Sequence, residues 1–441
     1  MLALLRRLSS VTIRRHQARM RWYSRIAAAM CVALLQACAT PPAITPTPPA
    51  AVAETREPVT ILISIDGFRP DYLRRGVTPN LNRLVAEGLT GPMRPSFPTK
   101  TFPNHWTIVT GMVPDHTGLV GNKMEDAARP GEIFTMAETD PFWWNATPPI
   151  WVDAERAGIR TGTLFWPGSE VAFGGTATKS GHAKVEGGVR PQDWLAFNDA
   201  ISETQRVNTL LDWLRRPAAI RPRLLTLYFD RVDVIGHESG PDSAEVAEAA
   251  ATIDRQIGAL RDGLAALRQP ANLVIVSDHG MGPTSSERVV TLDLPAGSYH
   301  VLETGPYATV VPTPGQEAVV ERQLLAPHPH MQCWRKQDIP SRFRYGSNPR
   351  VAPILCLAEM GWLILEKAPT KPSTGGAHGY DNQAPEMLAL FIAAGPAFRH
   401  GTVPAFDNVD VYPLLRTLLG LPPRTGIDGT DAPFRPWLAP R

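Results

Sequence analysis

The chain has 441 residues, 43% of them hydrophobic and 20% charged, which is enough for one large α/β domain with insertions or for two domains. Seven of its 44 basic residues and none of its 42 acidic residues lie in residues 1–37, so the net charge of +2 becomes −5 for the remainder. A mildly acidic body lacks the basic surface on which duplex-binding proteins depend, so no nucleic-acid duplex is expected as a partner.

The N-terminus has the pattern of an export signal. Arginine-rich sequence up to Arg25 precedes an apolar run over residues 26–35, which is too short to span a membrane. The following Gln36-Ala37-Cys38 resembles the cleavage box of bacterial lipoproteins. We therefore predict a signal peptide over residues 1–37, a periplasmic location, and membrane contact only through a lipid on Cys38. A plain secretory signal with an incidental cysteine is the alternative.

Residues 38–58 are rich in proline, alanine and threonine. Such a composition cannot build a core and favours extended backbone, so this segment is predicted to be a tether. The folded domain is predicted to cover residues 59–435.

Four apolar runs after the tether have the pattern of buried strands. VTILISI, LLTLYF, NLVIV and MLALFIAA lack apolar–polar alternation, which is typical of strands covered on both faces. Helices are predicted at TPNLNRLVAEG, at a stretch whose apolar residues recur every three or four positions from Ile253 to Leu267, and at the closing VYPLLRTLLG. This alternation predicts an α/β fold with a mainly parallel sheet between helices.

Residues 281–376 interrupt the alternation. They contain many prolines, the neighbouring His328 and His330, and both cysteines of the exported body, Cys333 and Cys356. We interpret the segment as an inserted cap or edge subdomain. An even number of cysteines in an oxidising compartment permits one disulfide between them, with two free buried thiols as the alternative.

Potential metal ligands follow the predicted strands. Asp66, Asp233, His237 and Asp278 come directly after apolar runs or a few residues beyond them, where open α/β sheets bind ligands. Asp233 and His237 are four residues apart and share one face of a helical turn, although a surface ion pair would have the same spacing. Asp278 and His279 follow a fully apolar strand, where unpaired charge is costly unless a metal neutralises it.

Thr101, in Pro98-Thr-Lys-Thr-Phe-Pro-Asn-His105, directly precedes an apolar helical stretch. Threonine is a good N-cap and Pro103 suits a first turn, so capping alone would explain the residue. A hydroxyl at a helix N-terminus beside a metal is also a candidate nucleophile. His378 lies in a glycine-rich segment, predicted to be a loop that approaches the site closely.

These residues divide into two predicted zinc sites with nitrogen and oxygen donors. One would contain Asp66, Thr101, Asp278 and His279, and the other Asp233, His237 and His378. The sequence therefore predicts a two-zinc hydrolase.

At this point the chain resembles the nucleotide pyrophosphatase/phosphodiesterase family of the alkaline phosphatase superfamily. The resemblance covers about residues 59–430 in one order. It is carried by Asp66-Gly-Phe-Arg69, Pro98-Thr-Lys-Thr-Phe-Pro-Asn-His105, Gly118-Leu-Val-Gly-Asn122, Phe165-Trp-Pro-Gly168, Asp233-Val-Ile-Gly-His-Glu-Ser-Gly-Pro241, Ser277-Asp-His-Gly-Met281, His378-Gly-Tyr-Asp-Asn382 and Asn408-Val-Asp-Val-Tyr412.

The resemblance implies an alkaline phosphatase-like fold, two Zn²⁺ ions and a small-molecule nucleotide substrate. Thr101 would be the nucleophile, and Asn122 would donate to a phosphate oxygen together with the Phe102 backbone N–H. Phe102, Phe134 and Phe197 would hold the base, with ordinary core packing as the alternative for each. The implied reaction releases a nucleoside 5′-monophosphate from a phosphodiester or pyrophosphate bond through a phospho-threonine.

Other functions keep the same metals or dispense with catalysis. A choline-lipid phosphodiesterase or a phosphomonoesterase would use the same site. The Thr101 motif contains no arginine and Lys100 is predicted to point away, which favours diesters, although Arg69 remains within reach. A metal-binding lipoprotein without catalysis would need a broken ligand or nucleophile position. A sulfatase would need cysteine or serine in place of Thr101.

Overall fold

The computed structural model of the chain describes residues 54–178 and 184–440. From Arg56 onward, the described residues belong to one compact unit. The predicted signal peptide, Cys38 and most of the predicted tether lie outside the described residues. Within the described ranges, none of the helices combines the length and apolar character needed to cross a bilayer.

The strands of the first two thirds of the chain alternate with helices. Those up to Val276 are β1 (Val59–Ile65), β2 (Leu89–Thr90), β3 (Met93–Arg94), β4 (Met124–Glu125), β5 (Ile133–Phe134), β6 (Thr161–Leu164), β7 (Thr176–Ala177), β8 (Val185–Glu186), β9 (Asp193–Leu195), β10 (Leu224–Phe229) and β11 (Ala271–Val276). The later ones are β12 (Gly282–Ser285), β13 (Val289–Thr291), β14 (Tyr299–Glu303), β15 (Tyr307–Pro312), β16 (Met331–Arg335), β17 (Ile354–Ala358), β18 (Leu363–Leu365), β19 (Thr374–Ala377), β20 (Phe391–Ala394), β21 (Gly401–Thr402) and β22 (Phe406–Asp407).

The α-helices of the described residues include each one that the sequence predicts. They are α1 (Pro79–Glu87), α2 (Thr101–Thr110), α3 (Pro114–Thr117), α4 (Ile150–Arg156), α5 (Glu203–Arg215), α6 (Arg231–Ser239), α7 (Ala244–Ala266), α8 (Glu317–Leu324) and α9 (Val411–Leu419). The long α7 begins where the Ser243 side chain accepts from the Val246 N–H, as an N-cap does. Gly88 follows the end of α1 as predicted.

The central sheet has eight strands in the order β21-β2-β20-β11-β1-β10-β6-β9. All neighbours from β11 to β9 are parallel, whereas β20 is antiparallel to both β11 and β2. The predicted α/β fold with a mainly parallel sheet is thus confirmed. β20 is apolar because both of its faces are buried, and this holds for a parallel and an antiparallel strand alike, so its composition could not predict its direction.

Two hydrophobic cores cover the two faces of this sheet. Leu62 of β1 points into the core shared with α2 and α9, and its neighbours Ile61 and Ile63 point into the core shared with α1, α5 and α7. Because successive side chains of a strand enter opposite faces, both sets must be apolar. This explains why β1 shows no apolar–polar alternation.

Residues 281–376 fold largely onto themselves. β12 and β19 pair with each other, so the two ends of the segment lie side by side. Between them, β14, β15, β17 and β16 form a four-stranded antiparallel sheet with its own core, which includes Val320 and Leu324 of α8. Cys333 of β16 lies directly opposite Cys356 of β17, and the two form the predicted disulfide, which is therefore confirmed.

Candidate metal centre and active site

Two buried carboxylates lie at the carboxyl edge of the central sheet. Asp66 directly follows β1, and Asp278 comes two residues after the adjacent parallel strand β11. Both side chains are almost completely buried. The Asp66 N–H continues the ladder by donating to the carbonyl of Phe229 at the end of β10. Three neighbouring parallel strands therefore end at this place, as predicted from the position of the candidate ligands after the apolar runs.

His279 completes a first cluster with these two carboxylates. Its Nε2 lies 2.9 Å from Asp278 Oδ2 and 3.5 Å from Asp66 Oδ1. The other ring nitrogen, Nδ1, lies 2.9 Å from the Gly280 carbonyl oxygen, to which an N–H donates. This contact leaves the lone pair on Nε2, directed at the carboxylates, which is the arrangement of a metal-ligating histidine.

The second cluster combines α6 with the end of β19. Asp233 and His237 occupy successive turns of α6, with Oδ2 and Nε2 3.4 Å apart, as the four-residue spacing predicts. His378 Nε2 lies 3.7 Å from Asp233 Oδ1. The Nδ1 atoms of both histidines lie 2.8 Å from backbone carbonyls, those of Gly376 and Thr99. Both rings therefore direct Nε2 into the cluster.

The two clusters are adjacent. The rings of His279 and His378 stack with centroids 3.5 Å apart, and one ligand atom each from Asp233, His279 and His378 falls within 4.8 Å of the others. Asp66, Asp278 and His279 meet the same criterion. His279 therefore lies between the two clusters rather than in one alone, and His237 forms the more exposed rim of the second.

The carboxylate oxygens in these clusters fit metal ions. Among the described residues, Asp66 Oδ1, Asp278 Oδ2 and Asp233 Oδ1 are buried and accept no hydrogen bond. Burial raises the pKa of Asp278 to about 8, and the neighbouring Asp233 charge adds to this. Burial and the charge of Asp278 likewise raise the pKa of Asp66. Unpaired buried carboxylates are costly, and divalent cations beside them remove that cost.

Glycines allow β19 to reach α6. A Cβ at Gly375 would lie 2.4 Å from the His237 carbonyl oxygen, and one at Gly376 would lie 2.5 Å from the Gly236 oxygen. The predicted close approach is therefore confirmed. His378 lies in a loop, as predicted, but this loop begins only after β19, because the Gly375-Gly376 backbone pairs with β12 while it packs against α6.

Thr101 is the first residue of α2, and its predicted role as N-cap is wrong. Lys100 occupies the N-cap position, and its carbonyl accepts from the Asn104 N–H. The Thr101 Oγ1 instead lies 3.3 Å from His279 Nε2. Thr101 is therefore one position further into the helix than predicted. At this first helical position its hydroxyl points to the first cluster and not to the free N–H groups of the helix end.

His105, one turn later on α2, holds the backbone of Thr101. Its Nδ1 lies 2.8 Å from the Thr101 carbonyl oxygen, and its Nε2 lies 2.8 Å from Ser64 Oγ on β1. Burial lowers the pKa of His105 to about 3, so the ring is neutral and can donate on one side and accept on the other. The same sequence motif thus contains both Thr101 and the histidine that holds the Thr101 backbone.

Asn122 lies beside the N-terminus of α2. The Phe102 N–H donates to Asn122 Oδ1 over 3.1 Å. Of the two groups expected to donate to a phosphate oxygen, the Phe102 N–H thus has a partner within the chain, and the phosphate contact itself stays a prediction. Of the Phe102 N–H and the Asn122 side chain, only the Asn122 amide Nδ2 is then left to donate to a phosphate oxygen.

The three phenylalanines predicted to hold a base differ in exposure. Phe102 is partly buried, whereas Phe197 is 49% exposed and packs its ring against Tyr228 at 5.9 Å. Phe134 is fully buried and packs against Phe102 and Trp144. A ring without exposed surface offers no face to a base, so the structure places Phe134 behind Phe102 as support rather than as a stacking surface.

The sequence interpretation missed Tyr228. Its hydroxyl donates to Asp66 Oδ2 over 2.7 Å, which leaves Asp66 Oδ1 to face the first cluster. Its ring also supports Phe197. The tyrosine within the mainly apolar β10 is the signal that could have found it, because a buried phenol needs a hydrogen-bond partner.

Lys100 and Arg69, the two cations considered in the sequence, both have acidic partners. The Lys100 Nζ lies 3.9 Å from Glu303 Oε2 on the inserted segment. Arg69 is held by Asp71, to which its Nε donates over 2.8 Å, and by the Met281 carbonyl. Both cations are therefore already engaged by this chain.

Comparison with known proteins identifies relatives over most of the chain. The family model described as type I phosphodiesterase / nucleotide pyrophosphatase matches residues 60–381. The bis(5′-adenosyl)-triphosphatase enpp4 of Xenopus laevis is 36% identical over 371 residues, 82% of this chain and 78% of that protein. Mouse ectonucleotide pyrophosphatase/phosphodiesterase family member 1 is 36% identical over 395 residues, 85% of this chain but only 42% of its own length.

Solved structures agree with this relationship. Human ectonucleotide pyrophosphatase/phosphodiesterase 5 superposes with a TM-score of 0.80 at 32% identity, over 87% of this chain and 100% of that one. An inactive variant of the murine protein in complex with AMP superposes with a TM-score of 0.79 at 32% identity, over the same shares of the two chains.

Proposed function

The chain belongs to the type I phosphodiesterase / nucleotide pyrophosphatase family, and from this premise we propose that it is a two-zinc hydrolase of nucleotides. Its reaction would cleave phosphodiester or pyrophosphate bonds and release nucleoside 5′-monophosphate. The observation that carries the proposal is the position of the Thr101 hydroxyl, 3.3 Å from His279, beside two clusters of buried metal-ligand side chains.

The donor set favours zinc. Asp66, Thr101, Asp278 and His279 would hold one ion, and Asp233, His237 and His378 the other, all through oxygen or imidazole nitrogen. When bound, two such ions supply Lewis-acid stabilisation of the negative charge that develops on the attacking and leaving oxygens.

The chain's own residues account for the remaining steps. The Thr101 hydroxyl loses its proton to water and Oγ attacks phosphorus. The Oγ–P bond forms, the bond from phosphorus to the leaving oxygen breaks, and that oxygen leaves as an anion or takes a proton from water, which yields a phospho-threonine that still carries the nucleoside. Asn122 Nδ2 donates to a non-bridging oxygen, while Phe102 and Phe197 flank the base. Water then attacks the same phosphorus, the Oγ–P bond breaks, Thr101 Oγ takes one proton of that water, and the nucleoside 5′-monophosphate leaves.

Diesters are favoured over monoesters as substrates because the two nearby cations are already paired with carboxylates. A monoesterase must balance an additional negative charge on the phosphate. Lys100 and Arg69, the candidates for this task, are engaged by Glu303 and Asp71. An uncompensated monoester would therefore bind this site poorly.

A substrate panel tests the proposal. We expect the zinc-loaded protein to cleave the p-nitrophenyl ester of thymidine 5′-monophosphate at least about tenfold more efficiently than p-nitrophenyl phosphate or p-nitrophenyl phosphorylcholine. ATP should yield AMP and pyrophosphate, because attack occurs at the α-phosphorus. Equal or faster cleavage of p-nitrophenyl phosphate, or release of ADP and phosphate from ATP, would contradict the proposal.

We also propose export to the bacterial periplasm with a lipid on Cys38. The arginine-rich, then apolar N-terminus supports export, and the Cys333–Cys356 disulfide fits an oxidising compartment. Labelled fatty acid should be incorporated into the full chain and not into a Cys38→Ala variant. Equal labelling of both proteins, or of neither, would exclude the lipid.

A further inference from the structure

Glu303 is a buried carboxylate that the proposed reaction does not use. It ends β14 of the inserted segment, and only 9% of its surface is exposed. A buried charge is costly unless it is paired and hydrogen-bonded, so its partners indicate its role. These partners lie next to the proposed catalytic groups, at the start of α2 and in the loop of Asn122.

The first partner follows Asn122. The backbone N–H of Lys123 donates to Glu303 Oε1 over 2.8 Å. Gly121, on the other side of Asn122, has little room: a Cβ there would lie 2.9 Å from the Lys123 carbonyl oxygen and 3.4 Å from Glu303 Oε1. The loop of Asn122 therefore packs closely against the Glu303 carboxylate of the inserted segment.

The second partner precedes Thr101. The Nζ of Lys100 lies 3.9 Å from Glu303 Oε2 and 5.9 Å from the centre of the Tyr307 ring. The backbone that carries this carboxylate is also held, because the Glu303 N–H donates to Thr309 Oγ1 over 3.0 Å. Lys100 is thus drawn towards a fixed charge on the neighbouring sheet.

These contacts form a closed circuit around the proposed site. Lys100, Thr101 and Phe102 are consecutive residues, and the Phe102 N–H donates to Asn122 Oδ1. Asn122 continues into Lys123, whose N–H donates to Glu303, and Glu303 returns to Lys100. The nucleophile and the phosphate donor therefore lie on the same ring of contacts, which Glu303 closes from the inserted segment through both Lys100 and Lys123.

We propose that Glu303 is a positioning residue that sets the separation between Thr101 Oγ and the Asn122 amide. The inference rests on the proposed function, because it assigns Glu303 to the support of the same attack. Small displacements of reacting groups have large effects on rate, whereas ground-state binding of the nucleotide depends on other contacts. The inserted segment would then contribute to catalysis without touching the substrate.

Variants of Glu303 test this role with the p-nitrophenyl ester of thymidine 5′-monophosphate. We expect Glu303→Ala to lower kcat by about 100-fold, with KM within about threefold and the metal content unchanged. Glu303→Gln keeps an acceptor for the Lys123 N–H and loses the charge, so it should lose only about tenfold. Glu359→Gln is the matched control, because Glu359 lies on the same segment with its side chain 65% exposed.

Activity of the unmodified protein on this ester tests the proposed function separately. With that activity present, a wild-type kcat in Glu303→Ala overturns the positioning role alone, and so does an equal loss in Glu359→Gln. If Glu303→Ala does not fold, Glu303→Gln is combined with Lys100→Met. The double variant should lose less than the product of the two single losses, because both remove one contact, and a loss equal to that product overturns the role.

Discussion

Replacing Thr101 by alanine is expected to abolish turnover of nucleotide diesters while fold and metal content persist. The loss should be about 10⁴-fold or more, because the attacking oxygen is removed and the other catalytic groups cannot act without it. Alanine is the best helix former, and the Thr101 hydroxyl makes no capping hydrogen bond that α2 would lose. Steady-state kinetics with metal analysis and circular dichroism would measure these three properties.

Two further threonine variants make this experiment specific. Thr101→Ser retains an oxygen at the same atom position and should keep part of the activity. Thr110→Ala removes a hydroxyl from the other end of α2, where it donates to the Trp106 carbonyl, and should leave kcat nearly unchanged. A Thr101→Ala protein that turns over at the wild-type rate would remove the nucleophile assignment.

Removing the metal is expected to abolish activity and to destabilise the domain. The two clusters leave three buried carboxylate oxygens unpaired among the described residues, so a bound cation interacts with the folded state far better than with the unfolded chain. At free zinc about 1,000 times Kd, binding at each site contributes about 4 kcal/mol to the free energy of unfolding. Chelation should therefore lower both kcat and the melting temperature, and added zinc should restore them.

Metal specificity and a ligand variant extend the same experiment. Restoration by zinc but not by magnesium is expected, because imidazole donors suit zinc and magnesium prefers oxygen ligands. Asp278→Asn removes one charge from the first cluster and should weaken metal binding without chelator. Full activity in protein shown by elemental analysis to be free of metal would contradict the two-metal mechanism.

Local sequence patterns predicted where the central strands and helices lie, but not the direction of every strand or the first residue of every helix. The apolar runs located β1, β10, β11 and β20 because burial on both faces excludes polar residues from all positions of a strand. They did not reveal that β20 is antiparallel, since direction depends on the path of the intervening chain. The start of α2 was placed one residue late, because threonine is acceptable both as an N-cap and in the first turn.

The aromatic residues illustrate the same limit at the site. Phe134 and Phe197 have the same side chain, and short motifs placed both at the base-binding surface. In the structure Phe134 is fully buried among the rings of Phe102, Trp143 and Trp144. Phe197 packs against Phe165 and Tyr228 and still keeps 49% of its surface exposed. Exposure is a property of neighbours that are distant in sequence, so residue type alone cannot supply it.

The amino-acid sequence by itself determined the family, the α/β class and the chemical identity of each proposed ligand, because these depend on residue type and local spacing. Only the tertiary structure decided that His279 lies between both clusters, that Tyr228 orients Asp66, and that Glu303 connects the start of α2 with the loop of Asn122. Each of these contacts joins segments that are far apart in the chain. Their distances follow from how the sheet and the inserted segment pack, which no local pattern encodes.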